Sequence, residues 1–329
     1  MYFSGINPLK VLVKEPDLFW KFYLAALGRI FWIKLTGKKY RSRIYGGWKR
    51  VYNQDTGNKI LKTALLEDKP FLFGRHGSNE LFIAIHGLML EKGIISNINS
   101  QKLDIACQHC GFFPNLSENY VRFNHLLIEA SSECDLYGTF RMIGEDYYIK
   151  HFMKKNVLLT HLNMMDFWRY KEPFTYALKG QKVLVIHYLA DQIASQYKKR
   201  KLLFDNPHVL PEFELHVMPA VQTIANNRDP RFDNWFLALD YMHEETKKFD
   251  YDIALLGCGA YGMPLAAKLK KDGKKVVYMG GVLQMLFGIY GSRWDTDPQA
   301  RKLKNEHWVM PDFRYKPQNA ESVENGCYW

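Results

Sequence analysis

Three stretches of the chain gather residue types that can hold and work on an anion. The first is Arg75-His76-Gly77-Ser78-Asn79-Glu80, which follows the apolar run Pro70–Gly74 and precedes a long apolar segment from Leu81. An arginine presents a planar fork of donors to phosphate or carboxylate. A glutamate at a helix start gains from the helix dipole. The same carboxylate could instead ligate Mg²⁺ or Mn²⁺, or act as a general base. The second stretch, Gly257-Cys258-Gly259-Ala260-Tyr261-Gly262, reads G-x-G-x-x-G between an apolar run and a helical one. Glycines there let backbone N–H groups approach a phosphate at a helix N-terminus. The third opens with Gly280-Gly281 and continues to Asp295, carrying Gln284, Arg293 and Trp294. Arg293 suits a phosphate and Trp294 a base or sugar face, while Met285, Leu286, Phe287 and Ile289 read as buried packing. His187 and Asp191, at the end of a further apolar run, are candidate acid–base groups.

The G-x-G-x-x-G stretch has three readings. A nicotinamide dinucleotide site also requires an acid about 20 residues on, at the end of the next strand. Here that strand ends in Gly280-Gly281 without one. A tight turn without a ligand and a site for another phosphate-bearing ligand remain beside it.

These residues need a frame, and the chain from about residue 65 supplies one. Strand-like runs occur at Pro70–Gly74, Asn156–Leu162, Gln181–Leu189, Phe213–Thr223, Tyr251–Gly259 and Lys274–Gly281. Helical patterns lie at Leu81–Gly93, Ala190–Phe204, Phe232–Phe249 and Met263–Gly273. Short β-branched runs alternating with helices predict an α/β fold with a mostly parallel sheet covered on both faces. In such sheets ligands bind at the carboxyl ends of the strands, which is where all three stretches fall.

The charge is uneven. The chain carries +11, and residues 1–50 hold eleven Lys/Arg against Glu15 and Asp17. The basic character thus belongs to an N-terminal segment that nucleic acid or an anionic membrane could attract. Leu18–Leu35 is rich in Phe, Trp, Tyr and Leu, with Lys21, Arg29 and Lys34 spread through it. A spanning helix needs about 20 apolar residues, and each central charge costs about 3 kcal/mol. The segment therefore reads either as an interfacial helix or as one packed on the body with its cations in water. Aromatics of 15% and charged residues of 24% mark a globular chain. Five cysteines without a secretory signal suggest reduced thiols and a cytoplasmic setting. Cys107-Gln108-His109-Cys110 is a single CxxC, short of the four ligands of a structural zinc site.

Taken together, Arg75–Glu80, the Gly-rich turn after Asp252–Gly257, Gly280–Trp294 and the terminal Glu324–Trp329 resemble the GT-D-type glycosyltransferases, a bacterial class with a Rossmann-like fold, and within it a polysaccharide-cluster subgroup. The resemblance implies a basic aromatic helical extension over 1–60 and a GT-D-like domain over 61–329. It implies transfer of a sugar from a nucleotide diphosphate donor to a surface-polysaccharide precursor carried on lipid. Glu80 would be catalytic or a metal ligand, with Asp191 and His187 as further acid–base groups. Arg75, His76, Gly77, Ser78, Asn79, Gly257, Gly259, Tyr261, Gly262, Gly280, Gly281, Gln284, Arg293 and Trp294 would bind the donor. The family pattern places an Asp where this chain has Ser78. A Mn²⁺ or Mg²⁺ site would then need Asp191, Asp135 or Asp295 as second carboxylate, or Arg75, His76 and Arg293 would neutralise the diphosphate without metal. The expected setting is peripheral, at the cytoplasmic face of a membrane through residues 1–50, with no nucleic acid partner. A non-catalytic nucleotide-sugar-binding partner of an assembly complex is the alternative.

Overall fold

A computed structural model of the chain describes residues 6–37 and 49–329. Lys38, Lys39, Arg41 and Arg43 of the basic segment lie outside the described residues.

Eight strands form one sheet: β1 Val51–Tyr52, β2 Phe71–Gly74, β3 Leu136–Thr139, β4 Leu158–His161, β5 Lys182–His187, β6 Glu214–Met218, β7 Ile253–Gly257 and β8 Lys275–Tyr278. Their order is β1-β4-β3-β2-β8-β7-β5-β6, and every pairing is parallel. The expected α/β architecture is therefore the observed one. The strands carry apolar residues on both faces because both faces are covered. Successive side chains alternate between two cores, as a period of two requires. Leu184, Ile186, Ala254 and Leu256 enter one core with the helices Ser78–Glu91, Ser117–Glu133, Trp235–Thr246 and Gly262–Lys271. Val183, Val185, Ile253 and Leu255 enter the other, with the helix Gln54–Leu66 and the C-terminal segment around Trp294 and Trp308.

Several local expectations shift. β3, Leu-Tyr-Gly-Thr, and the two-residue β1 carry too little apolar signal to be read from sequence. The helix Gln54–Leu66 runs through residue 60 and β1 precedes it, so the sheet draws on residues from Val51 onward. The helix expected over 190–204 divides into Ala190–Tyr197 and Arg200–Leu203. Between Val282 and Asp295 only Leu283–Leu286 is α-helical; Gly288, at φ +65°, turns the chain away.

The N-terminal helices sit on the first core through Val11, Leu18 and Phe22. Lys14 Nζ donates to the Lys92 carbonyl at 2.8 Å, Tyr147 donates to Glu15 at 3.0 Å, and Lys21 pairs with Asp146 at 3.2 Å. No helix among the described residues is long and apolar enough to cross a membrane.

The helix Ser78–Glu91 is buried from Leu81 to Met89, so its neighbours must come close on several sides. At Gly87 a Cβ would lie 2.1 Å from the Tyr120 carbonyl oxygen of the Ser117–Glu133 helix. Helix propensity favours alanine over glycine by about 1 kcal/mol. Overpacking a tight contact costs about 1–3 kcal/mol, and the obstacle here is backbone. Gly87→Ala should therefore lower the urea midpoint with the slope unchanged. A midpoint equal to or above the parent's would mean the two helices separate freely.

Candidate functional site

A cavity of about 230 Å³ opens at the carboxyl edge of the sheet. Its walls come from the segments after six strands: Arg75–Glu80 after β2, Phe140 and Met142 after β3, His187 and Tyr188 at β5, Ala220–Ile224 after β6, Gly257–Tyr261 at β7, and Gly280, Gly281 and Gln284 after β8. His109, Cys110, Arg293 and the tail residues Val323, Glu324, Tyr328 and Trp329 complete it.

Arg75 leaves β2 as the sheet ends, and its guanidinium lies over the Tyr278 ring at 5.0 Å. No acidic side chain forms a salt bridge with it among the described residues, and its buried Nε has no hydrogen-bond partner. Room for the side chain comes from Gly280. A Cβ there would meet Arg75 Nη2 at 2.3 Å, and its φ of +67° is one that L side chains rarely adopt. Tyr278 also donates its hydroxyl to the Gly259 carbonyl at 2.8 Å, which fixes the Gly-rich turn of β7 against β8. Gly262 packs on the edge of the same ring, where a Cβ would come within 2.1 Å of it. Gly262 therefore serves packing and does not line the cavity, whereas Gly257 and Gly259 line it. Gly259, at φ +56°, has open space where a Cβ would stand.

Arg293 is held by Glu324 and by the Tyr328 hydroxyl, with its guanidinium 5.0 Å over the Tyr328 ring. The tail is pinned from the other side as well, since Arg293 N–H donates to the Cys327 carbonyl at 3.0 Å.

Glu80 stands in the first turn of Ser78–Glu91, whose N-cap Gly77 offers no capping side chain. The carboxylate folds back over Gly77, where a Cβ would meet Oε2 at 1.8 Å. Burial pushes the Glu80 pKa up, while Arg75 and its own backbone N–H pull the other way. Burial, and then Glu80, push the neighbouring Cys110 thiol up as well, so it stays protonated.

His76 and His187 are neutral, and their tautomers follow from their bonds. The Ser131 hydroxyl donates to the Leu127 carbonyl at 2.6 Å, so at 3.0 Å from His76 Nε2 it accepts. His76 therefore carries its proton on Nε2, and its buried Nδ1 is unpartnered. Burial, then Arg75, lowers its pKa to about 3. At His187, Nδ1 accepts from the Leu189 N–H at 3.1 Å, so the proton sits on Nε2. Burial lowers its pKa to about 3. His187 thus offers a donor and no free basic nitrogen.

Asp191 and Trp294 are not among the residues lining the cavity. Asp191 is exposed and accepts from the Tyr315 hydroxyl at 2.9 Å. Trp294 is buried in the second core beside Tyr328. Of the other carboxylates weighed for a metal, Asp135 lies at the opposite edge of the sheet, held by Lys270 at 2.9 Å, Lys154 and the Leu72 N–H at 2.8 Å. Asp295 accepts from Tyr290 at 3.0 Å, away from the cavity. A divalent cation wants several oxygen ligands. The cavity offers Glu80, folded onto its own helix, and Glu324, held by Arg293. Among the described residues no cluster of three metal-ligating side chains occurs. The residues present do not fit a Mn²⁺ or Mg²⁺ site.

His109, Cys110, Phe140, Met142, Tyr188, Ala220–Ile224 and the tail were not legible as site residues. The terminal Glu324–Trp329 stretch, through its family resemblance, was the one signal that pointed to the tail. Arg75 Nε, His76 Nδ1, His109 Nδ1, the Tyr188 hydroxyl, Gln284 Oε1 and Trp329 Nε1 are buried without partners, and all belong to cavity-lining residues. Buried polar groups are normally satisfied, so such a concentration marks a place built for a polar ligand.

No family model matches the chain, and no curated protein matches it. Two solved structures are similar in fold. One is a selenomethionine-substituted domain of unknown function 1792, at 12% identity and TM-score 0.47. The other is a domain of unknown function 1792 described as having a distinct glycosyltransferase fold, at 13% identity and TM-score 0.43. Each alignment covers 84% of this chain and 91% of the other.

Two buried neutral histidines in the cavity make stability depend on pH. Their folded pKa values lie below the unfolded value of about 6.5, so the unfolded chain binds more protons between about pH 6.5 and 3. Stability contributed by each is present above that window and lost as pH falls through it. By pH 5 each has lost about 2 kcal/mol of it. His187→Gln should flatten the fall in unfolding free energy between pH 7 and pH 5 by about that much in urea titrations. An unchanged fall would show that His187 is not held neutral.

Proposed function

We propose that the protein transfers a sugar from a nucleoside diphosphate donor to a polysaccharide precursor. The observation that carries the reading is Arg75: a half-buried guanidinium at a sheet's carboxyl edge with no salt bridge among the described residues, in a cavity crowded with unpartnered polar atoms. A cation so placed favours an anionic ligand, because a buried charge is costly until it is paired. Gly257 and Gly259 let a diphosphate approach the main chain, and the N-terminus of Ser78–Glu91 adds backbone donors and a favourable dipole. Arg293 supplies a second charge-assisted fork on the tail side.

In this reading the bond between the anomeric carbon and the diphosphate oxygen breaks, and the electron pair leaves with the diphosphate. Arg75 and Arg293 stabilise that developing charge. The acceptor hydroxyl attacks the anomeric carbon, and its proton passes to the Glu80 carboxylate. Glu80 suits this task better than its neighbours. Glu324 is committed to Arg293, and the basic nitrogen of His187 is occupied by Leu189. No step is routed through a metal.

The test is a thermal-shift and calorimetric screen against nucleoside diphosphate sugars, followed by donor hydrolysis. Arg75→Met should weaken the donor Kd about 10- to 100-fold, the loss of one charge-assisted contact. Glu80→Gln should keep the Kd and cut turnover by about 10²-fold or more. Hydrolysis should survive EDTA. Turnover unaltered in Glu80→Gln removes Glu80 from the chemistry. Donor binding without turnover would favour a non-catalytic nucleotide-sugar-binding role, and failure to bind any donor would sink the reading.

A further inference from the structure

We propose that the helix Ala25–Thr36 seats the protein on an anionic lipid bilayer, entering one leaflet without crossing it. Exposed large apolar side chains concentrate there. Ile30, Phe31, Trp32, Ile33 and Leu35 are all exposed, Phe31 at 68% and Leu35 at 70%. Scattered exposed apolar residues are ordinary, whereas a contiguous set marks a contact surface.

Three features choose lipid over protein as the occupant. First, at 3.6 residues per turn the consecutive run Ile30–Ile33 distributes apolar side chains around the whole helix. A protein partner or a second copy would ask for a single stripe. Second, residues 18–50 contain no Asp or Glu but hold Lys21, Arg29, Lys34, Lys38, Lys39, Arg41, Arg43, Lys49 and Arg50. Pairing two copies through this segment would bring like charges together, while anionic headgroups attract juxtamembrane cations. Third, the 12-residue helix is about 18 Å long, against a hydrocarbon core of about 30 Å. It reaches into one leaflet. Trp20, Tyr23 and Trp32 have the amphipathic rings that the headgroup layer favours. The root of the helix is fixed to the body through Phe22 and Ala26, both buried, and the Lys21–Asp146 pair. A seated helix would thus carry the whole fold with it.

The proposal stands apart from the transfer reading, and its test needs no donor, so either can fail alone. The full chain is sedimented with vesicles of phosphatidylcholine, and with vesicles in which part of it is replaced by phosphatidylglycerol. Binding is expected to rise at least tenfold with the anionic lipid and to fall as salt is raised. Ile30→Ser/Phe31→Ser/Leu35→Ser should lose binding at least tenfold with an unchanged melting temperature, since these side chains support nothing in the body. Lys34→Glu/Lys38→Glu/Lys39→Glu, which leaves the apolar set intact, should lose it in the anionic vesicles alone. Parent protein that stays in the supernatant with both vesicle types overturns the proposal. So does a triple-serine variant that binds as the parent does. A parent dimer split by the serine changes, without vesicle binding, would assign the surface to a second copy instead.

Discussion

The site depends on the accommodation of one guanidinium. Arg75 emerges from the sheet into a region where water is partly excluded, and among the described residues no acid forms a salt bridge with it; Glu80 acts on it only through space. The fold makes this tolerable by giving the cation the face of Tyr278 and by keeping position 280 free of a side chain. Tyr278 in turn holds the Gly259 carbonyl and forms the surface on which Gly262 packs. Strands β2, β7 and β8 are therefore coupled at their ends through one aromatic ring. Replacing the charge by an apolar group would suit the fold as well or better, since an unpaired buried cation is a net cost. Its presence is an argument about ligand and not about stability.

The acids around the cavity show the complementary logic. Three of the carboxylates that could have assisted Glu80 are engaged elsewhere: Asp135 by lysines at the far edge, Asp191 by Tyr315 and Asp295 by Tyr290. Glu324 enters only in company with Arg293. The charged side chains of the lining are thus two arginines and two glutamates. Glu80 remains with its pKa raised by burial, which is the direction that makes a carboxylate a better proton acceptor.

How much of this was legible in sequence follows from where the information resides. The central strands announce themselves because a strand covered on both faces must be apolar at every position, and Val183–Ile186 and Ile253–Leu256 are. Loops immediately after such strands inherit a location, so Arg75, Gly257, Gly280 and Gln284 could be placed at one edge before any coordinates. Asp191 obeyed the same rule in position yet turns outward, because the rule fixes the backbone and leaves the side-chain direction open. Trp294 was read as a ligand platform and is core. β3 escaped because Gly138 and Thr139 dilute its apolar pattern. The tail was out of reach for a different reason: Arg293 meets Glu324 and Tyr328 only after a long irregular stretch, and no local period encodes such a return.

That return has a consequence for how the molecule would respond to an occupant. The cavity wall is assembled from loops scattered along the chain and closed by a segment whose hold rests on Arg293, its carbonyl contacts and the packing of Tyr328 against Gly281. Anything bound inside would tie the tail to the sheet by a second route. Amide hydrogens of the tail would then exchange more slowly, and proteases would find it harder to nick. The same segment would register occupancy of the cavity at the far end of the chain.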